Sequence, residues 1–298
     1  MSDDNRWEGK TGGGDFGQRF LLFIFKYVKV TVIYPVLVLV IPFYFLFGRK
    51  GRNAIYFYFH SILGYSPVKA FFATFKNHYI FGKTVLDKFA LAAGREDQFK
   101  IDVDLLDLFN EMSEAPEGCV VAGSHVGNFE LCGHAMKQDK KAISSIVYGG
   151  ESIELQRRRQ KSLDNFNVHL VPIKEDMSHI FAVKSALERG EFVTVVCDRI
   201  SGSNKFLNMN FMGRPAKFPL GPFVLAASSN VKMVSIFVIK QKGLNYKSFV
   251  FPLEGDKDGT VLDNAKALAG SYVRSLETIL WHFPHQWFNY YQFWDIAN

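Results

Sequence analysis

Hydrophobic and polar positions divide the chain into an apolar N-terminal part and an alternating C-terminal part. From Val30 to Phe47 no residue is charged over 18 positions. At about 1.5 Å per residue, a helix of that length spans ~27 Å, close to the ~30 Å hydrocarbon thickness of a bilayer. Pro35 and Pro42 predict kinks within it. Lys26 and Lys29 precede the run, and Arg49, Lys50 and Arg52 follow it. Basic residues on both flanks fit an in-plane or re-entrant anchor as well as a true span; a buried core helix is the remaining reading. Ile55 to Ala93 continues with a helical pattern crowded with aromatic residues, Tyr56 to Phe59 and Phe71, Phe72 and Phe75 among them. Such a stripe serves core packing and a membrane interface equally well.

From Lys100 onward, strand-like and helix-like segments alternate. Strands are predicted at Cys119–Ala122, Ile143–Tyr148, Val168–Ile173, Phe192–Cys197 and Met233–Ile239, with further ones at Asn208–Gly213 and Tyr246–Leu253. Helices are predicted at Leu131–Lys137, Ser152–Asn165, Ser178–Arg189 and Pro219–Ser229, and a closing helix at Thr260–Leu280. This alternation predicts an α/β fold, a mixed and largely parallel sheet flanked by helices, preceded by an N-terminal membrane-anchoring helical segment. The expected division is a polar, Gly-rich tail over 1–19, anchoring and interfacial helices over 20–95, and an α/β domain over 96–298. Ligands of such sheets gather outside the carboxyl ends of the strands. His125 and Asp198 each follow a predicted strand, so the two are expected to be neighbours across one crevice.

Composition narrows the partners. The 298 residues are 48% hydrophobic and 15% aromatic, with 30 Phe and a formal charge of +6. A basic, aromatic-rich chain without a nucleic-acid motif points to an anionic membrane surface or an acidic protein. Cys119, Cys132 and Cys197 lack a Cys-x-x-Cys pairing and read as reduced thiols of a cytosol-facing domain. No Ala-x-Ala cleavage pattern follows the apolar run, which argues against a signal peptide.

The chemistry concentrates in Glu117–Leu131, where a strand-type run ends in a small-residue turn before a helix-compatible segment. His125 lies in the turn and Glu130 five residues later. Within one helix, five residues turn about 500° and would splay the two side chains by about 140°. They can meet only with His125 in the turn and Glu130 in the first helical turn, behind Asn128 as N-cap. A carboxylate there can hold one imidazole nitrogen and leave the other as a general base. Gln156–Lys161 carries Arg157, Arg158 and Arg159, of which at most two can face one ligand on a helix; they suit a phosphate, a thioester or an acidic protein. Asp198-Arg199 closes a strand, where the carboxylate can orient an arginine or an acceptor. Gly213 turns the chain after Phe211-Met212. Glu130 and His134, with His125, raise a metal-hydrolase alternative, but the chain has no HExxH or paired-Cys spacing. No cofactor motif is present.

Gly123-Ser124-His125-Val126-Gly127-Asn128-Phe129-Glu130 resembles the His-x4-Asp/Glu motif of the lysophospholipid acyltransferase superfamily, and most closely its lipid A biosynthesis (late) acyltransferase branch. Asp198-Arg199 is similar to the Asp-Gln of that branch, departing at Arg199, and Phe211–Ala216 resembles its Phe-Phe-Gly…Ala segment. The resemblance implies a membrane-bound acyltransferase with His125 and Glu130 catalytic. Asn128, Arg157, Arg158, Arg159, Asp198, Arg199 and Gly213 are then expected to bind substrate. The implied donor is an acyl thioester, on acyl carrier protein or alternatively on CoA, and the implied acceptor a lipid hydroxyl or amine. The same motifs suit a non-lipid-A acceptor, such as an amino-acid lipid or a polyene pigment. One of the three arginines, or backbone N–H groups near Gly127, would receive the oxyanion. The expected location is the inner membrane, with the catalytic domain facing the cytoplasm.

Overall fold

The computed structural model describes residues 14–131, 141–147, 160, 167–174, 176, 178–200 and 205–294. Five helices come first: α1 (Gly14–Phe25), α2 (Val30–Ile33), α3 (Leu37–Phe47), α4 (Arg49–Phe57) and α5 (Pro67–Ala92). Pro35 falls in a 3-10 turn, Tyr34–Val36, that joins α2 to α3, and Pro42 lies inside α3. Leu37, Ile41 and Phe45, spaced four apart, form the buried stripe of α3. They face α5, whose Gly82 lets Leu37 and Ile41 approach to where a side chain would stand. The other faces are equally apolar but uncovered, with Leu39, Phe43 and Phe47 exposed. Val30–Phe47 is long and apolar enough to cross a membrane by length and composition, with only 28% of that window buried within the protein.

The aromatic segment after it is not one helix. Tyr58–Ile62 forms a π turn, Gly64 takes φ 69, and Ser66 caps α5 with Pro67 at its first position. Tyr58 and Phe59 serve core packing, whereas Phe71 and Phe72 are exposed.

The remaining elements are β1 (Lys100–Val103), α6 (Leu106–Glu114), β2 (Cys119–Gly123), β3 (Ile143–Val147), β4 (Val168–Pro172), α7 (Ser178–Glu188), β5 (Phe192–Val196), β6 (Phe206–Phe211), β7 (Arg214–Pro219), α8 (Gly221–Ser229), β8 (Lys232–Lys240), β9 (Asn245–Pro252) and α9 (Val261–His282). Seven strands form one sheet in the order β1-β9-β8-β2-β5-β3-β4. Every pairing is parallel except β8 with β9, so the sheet is mixed and largely parallel as expected. Strand β2 is apolar throughout because both its faces are covered. Val120 and Ala122 pack into the core beneath α7, α8 and α9, whereas Cys119 and Val121 pack on the opposite side with Phe109 and Met112 of α6. Thr260 and Asp263 close a capping box at the start of α9. The expected helix over Ser152–Asn165 lies outside the described residues except for Gln160, and that over Leu131–Lys137 except for Leu131.

A buried polar cluster ties the N-terminal helices to the sheet. Asp87 of α5 accepts hydrogen bonds from Tyr34, from Tyr246 of β9 and from Lys240 of β8, and Lys240 also donates to Tyr34 Oη at 2.9 Å. Burial pushes the Lys240 ammonium below its ordinary value, against the opposing pull of Asp87. Removing one partner of a buried ion pair strands the other charge, at a cost of about 3–5 kcal/mol, whereas removing both is often close to neutral. Lys240→Met is therefore expected to lower stability by about that amount in thermal unfolding of the detergent-solubilised chain. Combining it with Asp87→Leu should restore most of the loss. A single variant that melts like the wild type would show that the cluster does not couple the two parts.

Candidate functional site

The sheet register builds the site. Strands β2 and β5 are neighbours, and Gly123 pairs with Val196. Two residues past each of these stand His125 and Asp198, carried in step to the carboxyl edge of adjacent parallel strands. There the His125 backbone N–H donates to Asp198 Oδ2 at 2.9 Å, and Nδ1 lies 2.7 Å from Oδ1. Trp287 adds its indole N–H to Oδ2 at 3.1 Å, and the Tyr291 hydroxyl donates to the Asp198 carbonyl at 3.1 Å.

Asp198 is fully buried, whereas the His125 side chain keeps 21% of its surface exposed. Burial pushes the Asp198 carboxyl upward; the His125 ring and its two hydrogen bonds, with the Arg199 guanidinium, outweigh this and hold it below the usual carboxylate value. The other titratable neighbours are Cys197, Tyr272 and Tyr291, all pushed upward by burial and by the Asp198 charge. An ionised carboxylate accepts only, so Nδ1 carries the proton and Nε2 presents its lone pair. The Phe129 ring packs edge-on against the imidazole, 5.6 Å between centroids.

The spacing of the motif assigns the carboxylate on the imidazole to Glu130; the structure places Asp198 on Nδ1. Sheet register carries a residue 73 positions away onto the ring. Glu130 belongs to the 3-10 turn Phe129–Leu131, directly after Asn128, and its side chain lies outside the description. Asn128 is buried with its side chain beside the Tyr246 hydroxyl, which directs it into the fold. Arg199 donates to the Phe288 carbonyl at 3.3 Å and stacks over Tyr291, so it grips the C-terminal segment. Gly213, at φ 82, follows Met212 at φ 52 in the two-residue turn of the β6–β7 hairpin, which needs positive φ at both positions. Arg157, Arg158, Arg159, Cys132 and His134 lie outside the described residues. Among the described residues no three His, Cys, Asp or Glu side chains converge as a metal site.

The expectation of oxyanion donors near Gly127 does not hold for the two amides there. Gly127 N–H donates to the Gln286 carbonyl at 2.8 Å, and Asn128 N–H to the Val238 carbonyl at 2.8 Å. At φ 64, a Cβ on Gly127 would stand 2.1 Å from the Val238 oxygen, so this turn accepts glycine alone without moving β8.

What the motif does not announce is the segment that closes over the turn. Residues 284–291 supply the Gln286 carbonyl to Gly127, and the Phe288 N–H donates to the His125 carbonyl at 2.8 Å. Asn77 of α5 holds this segment from behind by donating to the carbonyls of His285 and Trp287. Its only sequence signal is the run of aromatic residues from Trp281 to Trp294.

A sequence model of the family described as bacterial lipid A biosynthesis acyltransferase matches residues 76–294. No curated protein matches the chain. The matched range begins inside α5 and takes in the whole sheet, both residues of the His125–Asp198 pair and the segment that closes over them.

Proposed function

Because the chain belongs to the bacterial lipid A biosynthesis acyltransferase family and is an acyltransferase, we propose that it moves a fatty acyl chain from an acyl thioester on acyl carrier protein to a hydroxyl of a lipid A-type acceptor. Nε2 of His125 takes the hydroxyl proton as the oxygen attacks the thioester carbonyl. The C–S bond then breaks, and the carrier thiolate leaves with the proton from the imidazolium, without an acyl-enzyme. Asp198 holds the ring and balances its transient charge. One observation carries the reading: Nδ1 is committed to a buried, ionised carboxylate, while the imidazole keeps 21% of its surface exposed. Glu130, the acidic residue of the motif, stays in the machinery, with Nδ1 already occupied by Asp198. One or two of Arg157, Arg158 and Arg159 meet the acidic carrier or the thioester side of the donor.

The test is transfer by the purified chain in micelles containing a lipid A precursor, with acyl-carrier protein and acyl-CoA compared as donors and the lipid product identified by mass spectrometry. Acylated lipid formed preferentially from the carrier protein is expected. Equal use of CoA would reassign the donor, and thioester hydrolysis with no acylated lipid would overturn the reading.

The same proposal seats α3 in the inner membrane, with the catalytic domain on the cytoplasmic face. Support comes from its uncovered apolar faces and from Arg49 and Lys50, which follow directly. Leu39, Phe43 and Phe47 point away from the stripe that packs on α5, so they can be changed without opening the core. Each buried apolar side chain of this size is worth about 1.5–3 kcal/mol. Leu39→Gln, Phe43→Gln and Phe47→Gln together should move the folded chain from the membrane pellet into the soluble fraction. Unchanged sedimentation of a folded triple variant would transfer the anchoring role to another surface.

A further inference from the structure

We propose that Trp287 is a positioning residue for the acyl transfer, acting on His125 through Asp198. This rests on the assignment of His125 as general base. Three observations carry it. The indole N–H donates to Oδ2 of Asp198, the oxygen that also receives the His125 backbone N–H, which leaves Oδ1 for Nδ1. The indole cannot swing away: it is 1% exposed and packed among Tyr58, Phe211, Phe293 and Trp294, with centroids 5.1–5.8 Å apart. Its backbone is pinned as well, because Asn77 Nδ2 donates to the Trp287 carbonyl at 2.8 Å and Trp287 pairs with Val126 in the catalytic turn.

The indole thus performs two tasks. It fixes the rotation of the carboxylate, and through it the aim of the imidazole. It also draws negative charge toward Oδ2, away from the oxygen that faces His125. Without the N–H, charge concentrates on Oδ1 and the imidazolium is held more firmly, because a hydrogen bond to the charged form of a group stabilises that form. A base that keeps its proton to higher pH, on a carboxylate freer to rotate, works more slowly.

The experiment compares full-length variants in detergent, with acyl-carrier protein as donor and a lipid A precursor as acceptor. Trp287→Phe removes the N–H and some volume. Benzothienylalanine placed at position 287 removes the N–H while keeping the shape, so the comparison survives if the phenylalanine variant folds poorly. Trp294→Phe is the packing control: this indole is buried in the same cluster but donates to the Phe211 carbonyl instead. With benzothienylalanine, kcat should fall roughly tenfold, as for loss of one hydrogen bond to a charged group, with KM nearly unchanged. The acidic limb of the kcat/KM profile should move to higher pH. Trp294→Phe should leave that limb in place. A benzothienylalanine enzyme with the wild-type kcat and acidic limb overturns the assignment, as does a limb that moves equally in Trp294→Phe. His125→Ala, run in parallel, separates the two levels. If it is active, the general-base reading fails; if it is inactive while the benzothienylalanine enzyme behaves as wild type, only the role of Trp287 falls.

Discussion

Replacing His125 by alanine should reduce acyl transfer by at least the ~10²–10⁴-fold that a positioned general base contributes, while the fold persists. The turn does not depend on the imidazole. Its backbone N–H still reaches Asp198, its carbonyl still accepts from Phe288, and Gly127 and Asn128 remain bonded to Gln286 and Val238. What the variant loses structurally is one of the donors on a buried carboxylate, a cost of about 1–3 kcal/mol. The transfer assay should therefore be paired with circular dichroism and a melting curve. A folded variant that turns over at the wild-type rate would remove the proposed chemistry altogether.

Asp198→Asn should be nearly as damaging, for a reason specific to the hydrogen bonds around it. Oδ2 receives two N–H donors, from the His125 backbone and the Trp287 indole. An asparagine must turn its oxygen toward those donors, and this aims its NH2 at Nδ1 of His125. Nδ1 must then accept, the ring proton moves to Nε2, and the nitrogen needed as base is capped. Inversion of this kind in a catalytic triad costs on the order of 10⁴ in rate, and a loss approaching that size is expected here. The same variant should change the response to acid. A carboxylate whose native pKa lies below its unfolded value of about 3.9 contributes stability that is complete above that value and is lost as pH falls through the native one. Wild-type stability should thus drop on acidification below about pH 4 more steeply than that of Asp198→Asn. A variant that keeps wild-type turnover, or one that loses stability in acid along the same slope, would contradict the role given to Asp198.

The sheet, the position of His125 and its proximity to Asp198 could be read from the chain because each depends on local pattern. Cys119–Ala122 and Phe192–Cys197 are apolar runs that end in polar residues, and parallel sheets gather such ends at one edge. The identity of the carboxylate on Nδ1 is another matter. A spacing rule sees only neighbours such as Glu130, whereas Asp198 arrives through the pairing of Gly123 with Val196, a register that no local pattern encodes. The break between α4 and α5 was signposted by Gly64, Ser66 and Pro67, but the dense aromatic run around them masks it. Strand β1 and helix α6 are short, four and nine residues, and leave little periodicity to detect. The work of residues 284–291 is invisible for a different reason: much of it is done by backbone N–H and carbonyl groups, which every sequence possesses.

The distances along the chain that these bonds span have a kinetic meaning. His125 is joined to Asp198 across 73 positions, Asp198 to Trp287 across 89, and Trp287 to Asn77 across 210. Each closure costs chain entropy before any contact repays it, and nonlocal pairings of this kind slow folding. The central strands must already lie side by side before Asp198 can face His125, and the segment after α9 can bond to the turn only once that turn exists. Assembly of the proposed His125–Asp198 pair is therefore a late event for the folding chain. A half-folded molecule that buries much of its sheet still lacks the carboxylate that orients the proposed base.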